Sequence, residues 1–314
     1  MEEKDMKEKW AFIINPVAGS GKPLTILQEL NKQLDKRKIQ AKIVQTKEKG
    51  HASILAKELA ENNFTHIVAI GGDGTLNEMA SALIDFPQCV LGLIPGGTGN
   101  DFAQIPGLSE EYQQKDWDTL FKAQTHAIDV GRCNGHLFFN GMGLGFDAQV
   151  AAENYEAPGK VKVGGKSKYV WHILKNLLFF KEQKMIIEAN GRKNENLCFL
   201  NTISIGRRYA GDFFLTPKAF ADDGLFDICM VHKLNIMQRV DILGKVPKGE
   251  HLSNPKVHYY QSDKLIIDLE KEAAYHLDGE LFFDKHFEID ILPGKISFIF
   301  NPDGKHYFAN TKNS

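Results

Sequence analysis

The chain has 314 residues, about twice the ~150 residues of a typical domain, so two domains are expected. Hydrophobic residues make up 43% and charged residues 25%, ordinary globular values that exclude disordered and fibrous classes. With 38 Lys and Arg against 40 Asp and Glu, the net charge is -2. This balance disfavours a protein whose whole surface binds nucleic acid, and no nucleic-acid partner is expected.

Cysteine spacing and apolar stretches bear on the cellular compartment. The four cysteines are far apart and match no CxxC metal or redox spacing, so reduced thiols are expected. The first five residues are too charged for a signal peptide. The longest apolar stretch, Tyr169 to Phe180, is interrupted by polar residues and is shorter than the ~20 residues of a membrane span. These features predict a cytoplasmic protein.

The first third of the sequence alternates strand and helix patterns. Short buried-strand patterns occur at residues 10–14, 39–44, 66–70 and 90–94, with helical spacing of apolar residues at 23–34, 52–60 and 76–84 between them. This order predicts a parallel sheet covered by helices on both faces.

From about Ala127 the pattern changes to short strands. Runs of β-forming residues occur at 137–139, 185–189, 199–205, 226–231, 265–269, 287–291 and 296–300. Several alternate apolar and polar residues, which predicts an antiparallel sandwich or barrel with one solvated face. We therefore expect domains at 1–130 and 131–300, with the tail 301–314 packing back onto the first.

Two glycine-rich segments each follow a predicted strand. They read Gly71-Gly72-Asp73-Gly74-Thr75, which opens a helix, and Pro95-Gly96-Gly97-Thr98-Gly99-Asn100-Asp101. Glycines let the backbone approach a ligand closely, and free N–H groups at a helix start favour a phosphate. Because parallel strands bring such segments to one sheet edge, the pair predicts a phosphate site. A tight strand-to-helix turn is the other interpretation of the first segment.

A third turn, Asn15 to Pro23, follows the first strand. Its Gly21-Lys22 pair resembles the end of a Walker A loop. However, Pro16 stands at the required first glycine, and Pro23 replaces the Ser or Thr that holds Mg²⁺. We expect this turn to line the nucleotide without being a P-loop.

Two turns in the second half carry carboxylates. Asp278-Gly279-Glu280 is typical of a hairpin, and its second carboxylate would also suit a general base. Asp222-Asp223-Gly224 is compatible with a hard cation held by oxygen ligands, or with a solvated turn.

Taken in order, these motifs resemble the diacylglycerol kinase catalytic-domain family, in its soluble bacterial branch. The matching segments are Asn15 to Lys22, Gly71 to Glu78, Pro95 to Phe102, Asn140 to Asp147, Ala221 to Leu225 and Asp278 to Glu280. The GGDGT element is shared with NAD kinases. Its combination with the second glycine loop and the late DGE is specific to the lipid kinases.

The resemblance implies an α/β plus all-β fold. An N-terminal Rossmann-like three-layer α/β/α nucleotide domain would precede an antiparallel β-sandwich domain for the lipid acceptor, with the active site in the cleft between them. It implies an ATP- and Mg²⁺-dependent lipid kinase whose first expected acceptor is diacylglycerol, with phosphatidic acid as the product. Such an enzyme would be cytoplasmic and bind peripherally to the inner face of the membrane. A homodimer is one assembly that is compatible with this reading.

The resemblance also implies roles for individual residues. Glu280 would be the base that takes the proton of the acceptor hydroxyl, and Asp73, Asp101 and Asp129 would organise the catalytic Mg²⁺. A structural Mg²⁺ would be held by Phe220, Asp223 and Leu225. The nucleotide contacts would come from Asn15, Thr46, Gly71, Gly72, Asp73, Gly74, Thr75, Asn77, Glu78, Thr98 and Asn100.

Two other functions stay open from the sequence. An NAD kinase shares the GGDGT element, although the loop from Thr98 to Asp101 resembles the lipid branch. A nucleotide-binding regulator that has lost catalysis is the second alternative. An assay of turnover separates both from a lipid kinase.

The segment from Lys160 to Lys181 contains six lysines and no acidic residue. Tyr169, Ile173, Leu177 and Phe180 fall at helical intervals within it. An ordinary helix on the core of the second domain explains this pattern. A patch that docks on anionic lipid headgroups explains it equally.

Overall fold

The structure is a computed structural model that describes residues 8–109, 111–153, 155–157, 160–161, 175–209 and 213–309. The chain divides into two compact units. The first runs to Ile128 and resumes at Gly294, and the second runs from Asp129 to Pro293. None of the helices within the described ranges is long and apolar enough to span a membrane.

The strands are numbered in chain order. They are β1 Trp10–Ile14, β2 Ala41–Gln45, β3 His66–Gly71, β4 Val90–Pro95, β5 Thr125–Cys133, β6 His136–Phe138, β7 Gly141–Gly145, β8 Tyr155–Ala157, β9 Lys160–Val161, β10 Gln183–Ala189, β11 Arg192–Ser204, β12 Phe226–His232, β13 Val257–Ser262, β14 Lys264–Leu277 and β15 Glu280–Ile299. The helices are α1 Lys22–Arg37, α2 His51–Glu61, α3 Asp73–Leu83, α4 Gln114–Lys122, α5 Phe146–Glu153 and α6 Ile236–Lys245.

The first unit is built on a parallel sheet in the order β2-β1-β3-β4, extended by the end of β15. Alternate residues of β1 face opposite sides, and all five are buried. Phe12 and Ile14 pack with Leu30 of α1 and Leu120 of α4 in one core cluster. Since α2 and α3 pack against β1 and β3, both faces are covered, as the three-layer α/β/α fold requires.

The last strand of this sheet comes from the far end of the chain. Ser297 and Phe298 of β15 pair in parallel with Val90 and Leu91 of β4. The tail then continues along the same unit, where Asn301 N–H donates to the Pro106 carbonyl oxygen (2.9 Å). The sequence predicted a strand at residues 296–300 and placed it in the second domain; the structure has this strand as the end of β15, within the first unit.

The second unit is an antiparallel β-sandwich domain. Its strands follow the order β13-β12-β11-β10-β14-β15, and β7 pairs with both β11 and β14. β14 changes partner along its length, because its first half pairs with β10 and its last three residues pair with β7. This change of partner brings the end of β14 beside the glycine-rich β7.

Helices cover one face of the second sheet. Phe146 of α5 and Ile242 of α6 pack with Phe199 and Val231 in one core cluster. Leu177, in a helical stretch at residues 175–179, joins the same cluster. The other residues of the Lys-rich segment between 162 and 174 lie outside the described part of the chain.

Candidate active site

Three loops lie side by side at the carboxyl edge of the parallel sheet. They follow β1, β3 and β4, the order in which the strands are neighbours. Gly96 N–H donates to the Gly71 carbonyl oxygen (2.8 Å), and Asn15 N–H donates to the Ile70 carbonyl oxygen (3.0 Å). The predicted meeting of these loops at one edge is therefore what the structure shows.

Backbone contact between the loops requires glycine at two positions. A Cβ on Gly72 would lie 3.0 Å from the Cα of Gly97, and a Cβ on Gly97 would collide with Gly72. These residues therefore let the loops after β3 and β4 touch through their main chains, which exceeds what a simple strand-to-helix turn needs.

Asp73 fastens the second loop to the third. Its two carboxylate oxygens accept hydrogen bonds from the N–H groups of Asp101 and Phe102, both at 3.1 Å. Asp73 also begins α3, whose N-cap Gly72 supplies no capping side chain. The first N–H groups of a helix have no acceptor within the helix, so this end of α3 suits an anion such as a phosphate.

Two asparagines shape the neighbouring loops. The side chain of Asn100 closes its own loop, accepting from Gly97 N–H (3.0 Å) and donating to the Gly97 carbonyl oxygen (3.1 Å). The Asn15 side chain donates to the Thr75 hydroxyl (3.0 Å). Both residues were predicted from the sequence to contact the nucleotide, and the structure gives each a positioning role in the loops.

The remaining predicted nucleotide contacts also lie on the first unit. Thr46 follows β2, with its N–H donating to the Ile14 carbonyl oxygen (2.8 Å). Asn77 lies on the first turns of α3, and Gly74 and Thr98 are exposed. The Glu78 carboxylate accepts from Gly50 N–H (2.8 Å) and Ala52 N–H (3.2 Å), so it stabilises the start of α2. Nucleotide binding by these side chains stays a prediction.

The DGE segment forms a hairpin between β14 and β15. Leu277 pairs with Glu280, and Asp278 and Gly279 have φ of 47° and 86°, the conformation of a two-residue hairpin turn. The Asp278 carboxylate accepts three N–H groups, from Phe139 (2.7 Å), Asn140 (3.0 Å) and Gly141 (2.8 Å). The turn is thus held rigidly, and it presents Glu280 as an exposed carboxylate.

Beside this hairpin lies a His–Asp pair that the sequence analysis did not assign. His276 Nε2 lies 3.1 Å from the Asp147 Oδ2, and both side chains are largely buried. A Cβ on Gly143 would collide with both of them. Asp147 ends one of the segments that carry the family resemblance, and His276 lies two residues before another. Their pairing follows from the β7–β14 contact, which the sequence pattern does not reveal.

Asp129 is fully buried at the acidic turn of the second unit. Its carboxylate accepts from Gly224 N–H (2.7 Å), and its own N–H donates to the Ala221 carbonyl oxygen (2.9 Å). The structure thus joins Asp129 to the turn predicted to hold a structural cation. Asp73 and the backbone of Asp101 meet in the first unit.

Burial raises the pKa of Asp223, and that of the neighbouring Asp227, above the usual range of a carboxyl group. The Gln261 amide donates to both, at 3.1 Å and 3.2 Å. A cation would relieve the cost of holding two partly buried carboxylates together, and oxygen donors suit Mg²⁺ or Ca²⁺. The Asp223 carboxylate is therefore a donor of the type that a hard cation takes, and its binding of a cation together with the carbonyls of Phe220 and Leu225 stays a prediction. Over the described ranges, however, no three His, Cys, Asp or Glu side chains converge on a single point.

Two family models cover most of the chain. Residues 9–133 match the diacylglycerol kinase catalytic domain, and residues 140–300 match the YegS C-terminal NAD kinase beta sandwich-like domain. A nucleotide-type α/β unit with glycine loops, followed by this sandwich, defines the class: the protein is a kinase, and specifically a lipid kinase.

Individual relatives agree with this class. The diacylglycerol kinase of Bacillus subtilis (strain 168) is 30% identical over 233 residues, which cover 74% of this chain and 76% of the relative. That of Staphylococcus saprophyticus is 28% identical over 88% of this chain and 90% of the relative. A crystal structure of a diacylglycerol kinase from Bacillus anthracis str. Sterne has a TM-score of 0.75, is 25% identical and covers 94% of this chain and 97% of that one. This chain belongs to the diacylglycerol kinase catalytic-domain family.

Proposed function

We propose that this lipid kinase transfers the γ-phosphoryl group of ATP to the hydroxyl of diacylglycerol and forms phosphatidic acid. The observation that carries the proposal is the set of three main-chain loops at one sheet edge, beside the uncapped start of α3. Such N–H groups suit nucleotide phosphates. Two relatives that match most of the chain are named diacylglycerol kinases, which supports this acceptor.

Phosphoryl transfer requires positioning and charge neutralisation more than covalent chemistry. In the proposed mechanism the loops after β1, β3 and β4 hold the phosphates through main-chain N–H groups. Asp73 keeps two of the loops in register through its bonds to Asp101 and Phe102. Mg²⁺, when bound, would neutralise charge on the phosphates, and Asp73, Asp101 and Asp129 are the carboxylates proposed to organise it and its waters.

Glu280 is proposed as the general base that takes the proton of the acceptor hydroxyl. Its carboxylate is exposed, and the neighbouring Asp278 anchors its hairpin by three hydrogen bonds. Glu280→Gln should lower kcat by about 10²–10⁴ while stability is unchanged, because only the base is removed. Glu288→Gln, an exposed carboxylate on the same strand, is the matched control. Near-full kcat in Glu280→Gln would show that Glu280 is not the base and has only a structural role in the hairpin.

The substrate is tested with ATP, Mg²⁺ and diacylglycerol in mixed micelles, with the lipid product separated and its phosphate measured. Phosphatidic acid should form, and its formation should stop when Mg²⁺ is chelated. A folded, Mg²⁺-supplied preparation that gives no lipid phosphate would contradict the proposal. Other lipid alcohols in the same assay define the acceptor range.

Phosphorylation of NAD is the second candidate. It is favoured by the GGDGT element and by the NAD kinase-like description of the sandwich model. An assay of NADP formation under the same conditions distinguishes the two. Turnover with neither acceptor would favour a nucleotide-binding regulator.

A membrane contact is proposed for the segment from Lys160 to Lys181. In its described part, Leu177 is buried in the core, while the neighbouring Leu178 and Phe179 are 49% and 73% exposed. These two side chains support insertion into the lipid interface, with the lysines meeting anionic headgroups. The double variant Lys166→Glu/Lys168→Glu should bind anionic vesicles less at low salt and keep its activity on a short-chain, water-soluble acceptor. Equal vesicle binding would refute this contact.

A further inference from the structure

A pocket of about 270 Å³ lies in the second unit and is lined by residues of β10, β11, β12 and β13 and of the turn between β10 and β11. The turn between β10 and β11 lies against the end of β13, because β13 runs directly into β14, which pairs with β10. Asn190, in that turn, donates to the Gln261 carbonyl oxygen (2.8 Å) and accepts from the Ser262 hydroxyl (3.2 Å). These bonds join strands that are three places apart in the sheet order, so the sheet curls and encloses the pocket.

The floor of the pocket is apolar. Residues paired across antiparallel strands share a face, and the registers Ile187↔Asn194, Met230↔His258 and Ile228↔Tyr260 place one continuous face inside the curl. Ile187 and Met230 are 3% and 5% exposed. Tyr260 lies beside them, and burial raises the pKa of its hydroxyl to about 12, so it is a neutral hydrogen-bonding group.

The rim of the pocket is polar and positively charged. It consists of Arg192, Asn194, Asn196 and His258, together with Asn190. The titratable groups on this face are Arg192 and Cys198 of β11, His232 of β12, and His258 and Tyr260 of β13. No carboxylate shares the face among the described residues of β10 to β13.

The acids of these strands lie on the opposite side of the sheet. Glu188 pairs with Lys193 there, and Glu195 forms an ion pair with Lys184 at 2.9 Å. Within the part of the chain that the structure describes, Arg192 has no ion-pair partner. The pKa of His232 is lowered by burial and also by the nearby His258 and Lys256, which agrees with a positive field at this face.

We propose that this pocket binds a small amphipathic anion, with an aliphatic or aromatic group on the floor and a carboxylate or phosphate at Arg192 and His258. The apolar floor favours the carbon skeleton, and the positive rim without acids favours the charge. A volume of about 270 Å³ falls just below the ~300–1,000 Å³ of pockets for drug-sized ligands, so the occupant is smaller than a nucleotide. The proposal is independent of the acceptor assigned to the kinase.

Calorimetry with two matched pairs of probes tests the site. In one pair, 4-phenylbutyrate carries the charge and 4-phenylbutanol is the neutral control. In the other pair, phenyl phosphate is compared with inorganic phosphate. Each amphipathic anion should bind about tenfold or more tightly than its control if both floor and rim contribute. The stronger of the two anions identifies carboxylate or phosphate as the preferred group.

The variant Arg192→Gln locates the binding. It should weaken the preferred anion by about tenfold or more, because a charge-assisted hydrogen bond is lost. Lys193→Gln is the matched control, since it removes the same charge one residue along the strand but on the opposite face. Both variants should keep the kinase activity of the wild type, because neither residue belongs to the proposed active site.

Three results would overturn the proposal. One is equal affinity of Arg192→Gln and wild type for both amphipathic anions. Another is inorganic phosphate binding as tightly as phenyl phosphate, with no binding of 4-phenylbutyrate. The third is saturable binding that Lys193→Gln abolishes and Arg192→Gln does not. If the wild type shows no kinase activity, only the proposed function is contradicted, and this binding test still applies.

Discussion

Asp278 provides a test of how the DGE hairpin is held. Replacing Asp278 with Asn keeps one carbonyl oxygen, which can still accept from Asn140 and Gly141 N–H. It places an NH₂ group opposite Phe139 N–H, where Oδ2 accepts at 2.7 Å. The change removes a charge-assisted hydrogen bond and leaves a buried donor unpaired. Asn also tolerates the positive φ of 47° at this position, so the backbone is not an additional variable.

The expected loss follows from the number of bonds. Removing one charge-assisted bond in Asp278→Asn should lower the free energy of unfolding by about 1.5–3 kcal/mol. Asp278→Ala leaves all three N–H groups without the carboxylate and puts Ala at positive φ, so about 4–6 kcal/mol is expected. This larger value approaches the ~5–15 kcal/mol total stability of a typical protein, and this variant should fold poorly.

Urea unfolding followed by far-ultraviolet circular dichroism measures the effect. With slopes of about 1–3 kcal/mol per molar urea, the Asp278→Asn midpoint should fall by about 1 M. Glu280→Gln, two residues further on and exposed, should stay within about 0.5 kcal/mol of the wild type. Equal midpoints for Asp278→Asn and Glu280→Gln would refute the claim that the Asp278 carboxylate holds the hairpin.

Three further predictions concern the second unit. In thermal unfolding, Mg²⁺ should raise the melting temperature of the wild type but not that of Asp223→Asn, because a metal bound only by the folded state adds stability. An unchanged melting temperature of the wild type in Mg²⁺ would contradict the structural cation site. Arg239→Met should lower the free energy of unfolding in urea by about 3–5 kcal/mol, because it leaves the buried Glu182 carboxylate, 2.6 Å from the guanidinium, without its ion-pair partner. A loss below about 1 kcal/mol would contradict this. The hydrogen bond to Asp268 raises the pKa of His286 above 6.5, so the stabilisation from this pair is complete below the unfolded pKa and is lost as the pH rises through the folded value. In a nuclear magnetic resonance titration Asp268→Asn should lower the His286 midpoint, and an unchanged midpoint would exclude the pair.

Local sequence pattern was sufficient for the α/β half. The run Trp10 to Ile14 is the observed β1, and the first three helices were each placed to within a few residues. Buried parallel strands are short apolar runs, and surface helices show apolar residues at helical spacing, so each element carries its own pattern. The glycine loops were also predicted from the sequence, because the glycines that allow two loops to touch stand close together within each loop.

The β half was less readable from the sequence. β7 reads Gly-Met-Gly-Leu-Gly, which has weak strand propensity, and it is a strand because β11 and β14 flank it. The helix from Ile236 to Lys245 was not predicted, although Asn235 and Gln238 form a capping box at its start. Neighbouring strands and packing decide such elements, so a single sequence window does not reveal them.

The sequence by itself determined the order of β1 to β4 and α1 to α3, the positions of the glycine loops and the family. Each depends on residue types at short spacing, which a linear pattern records. The tertiary structure alone decided that the end of β15 completes the parallel sheet, that His276 meets Asp147, and that the turn between β10 and β11 contacts the end of β13. These contacts join residues far apart in the chain, and they depend on strand pairing and sheet twist, whose energies arise only when the whole sheet is assembled.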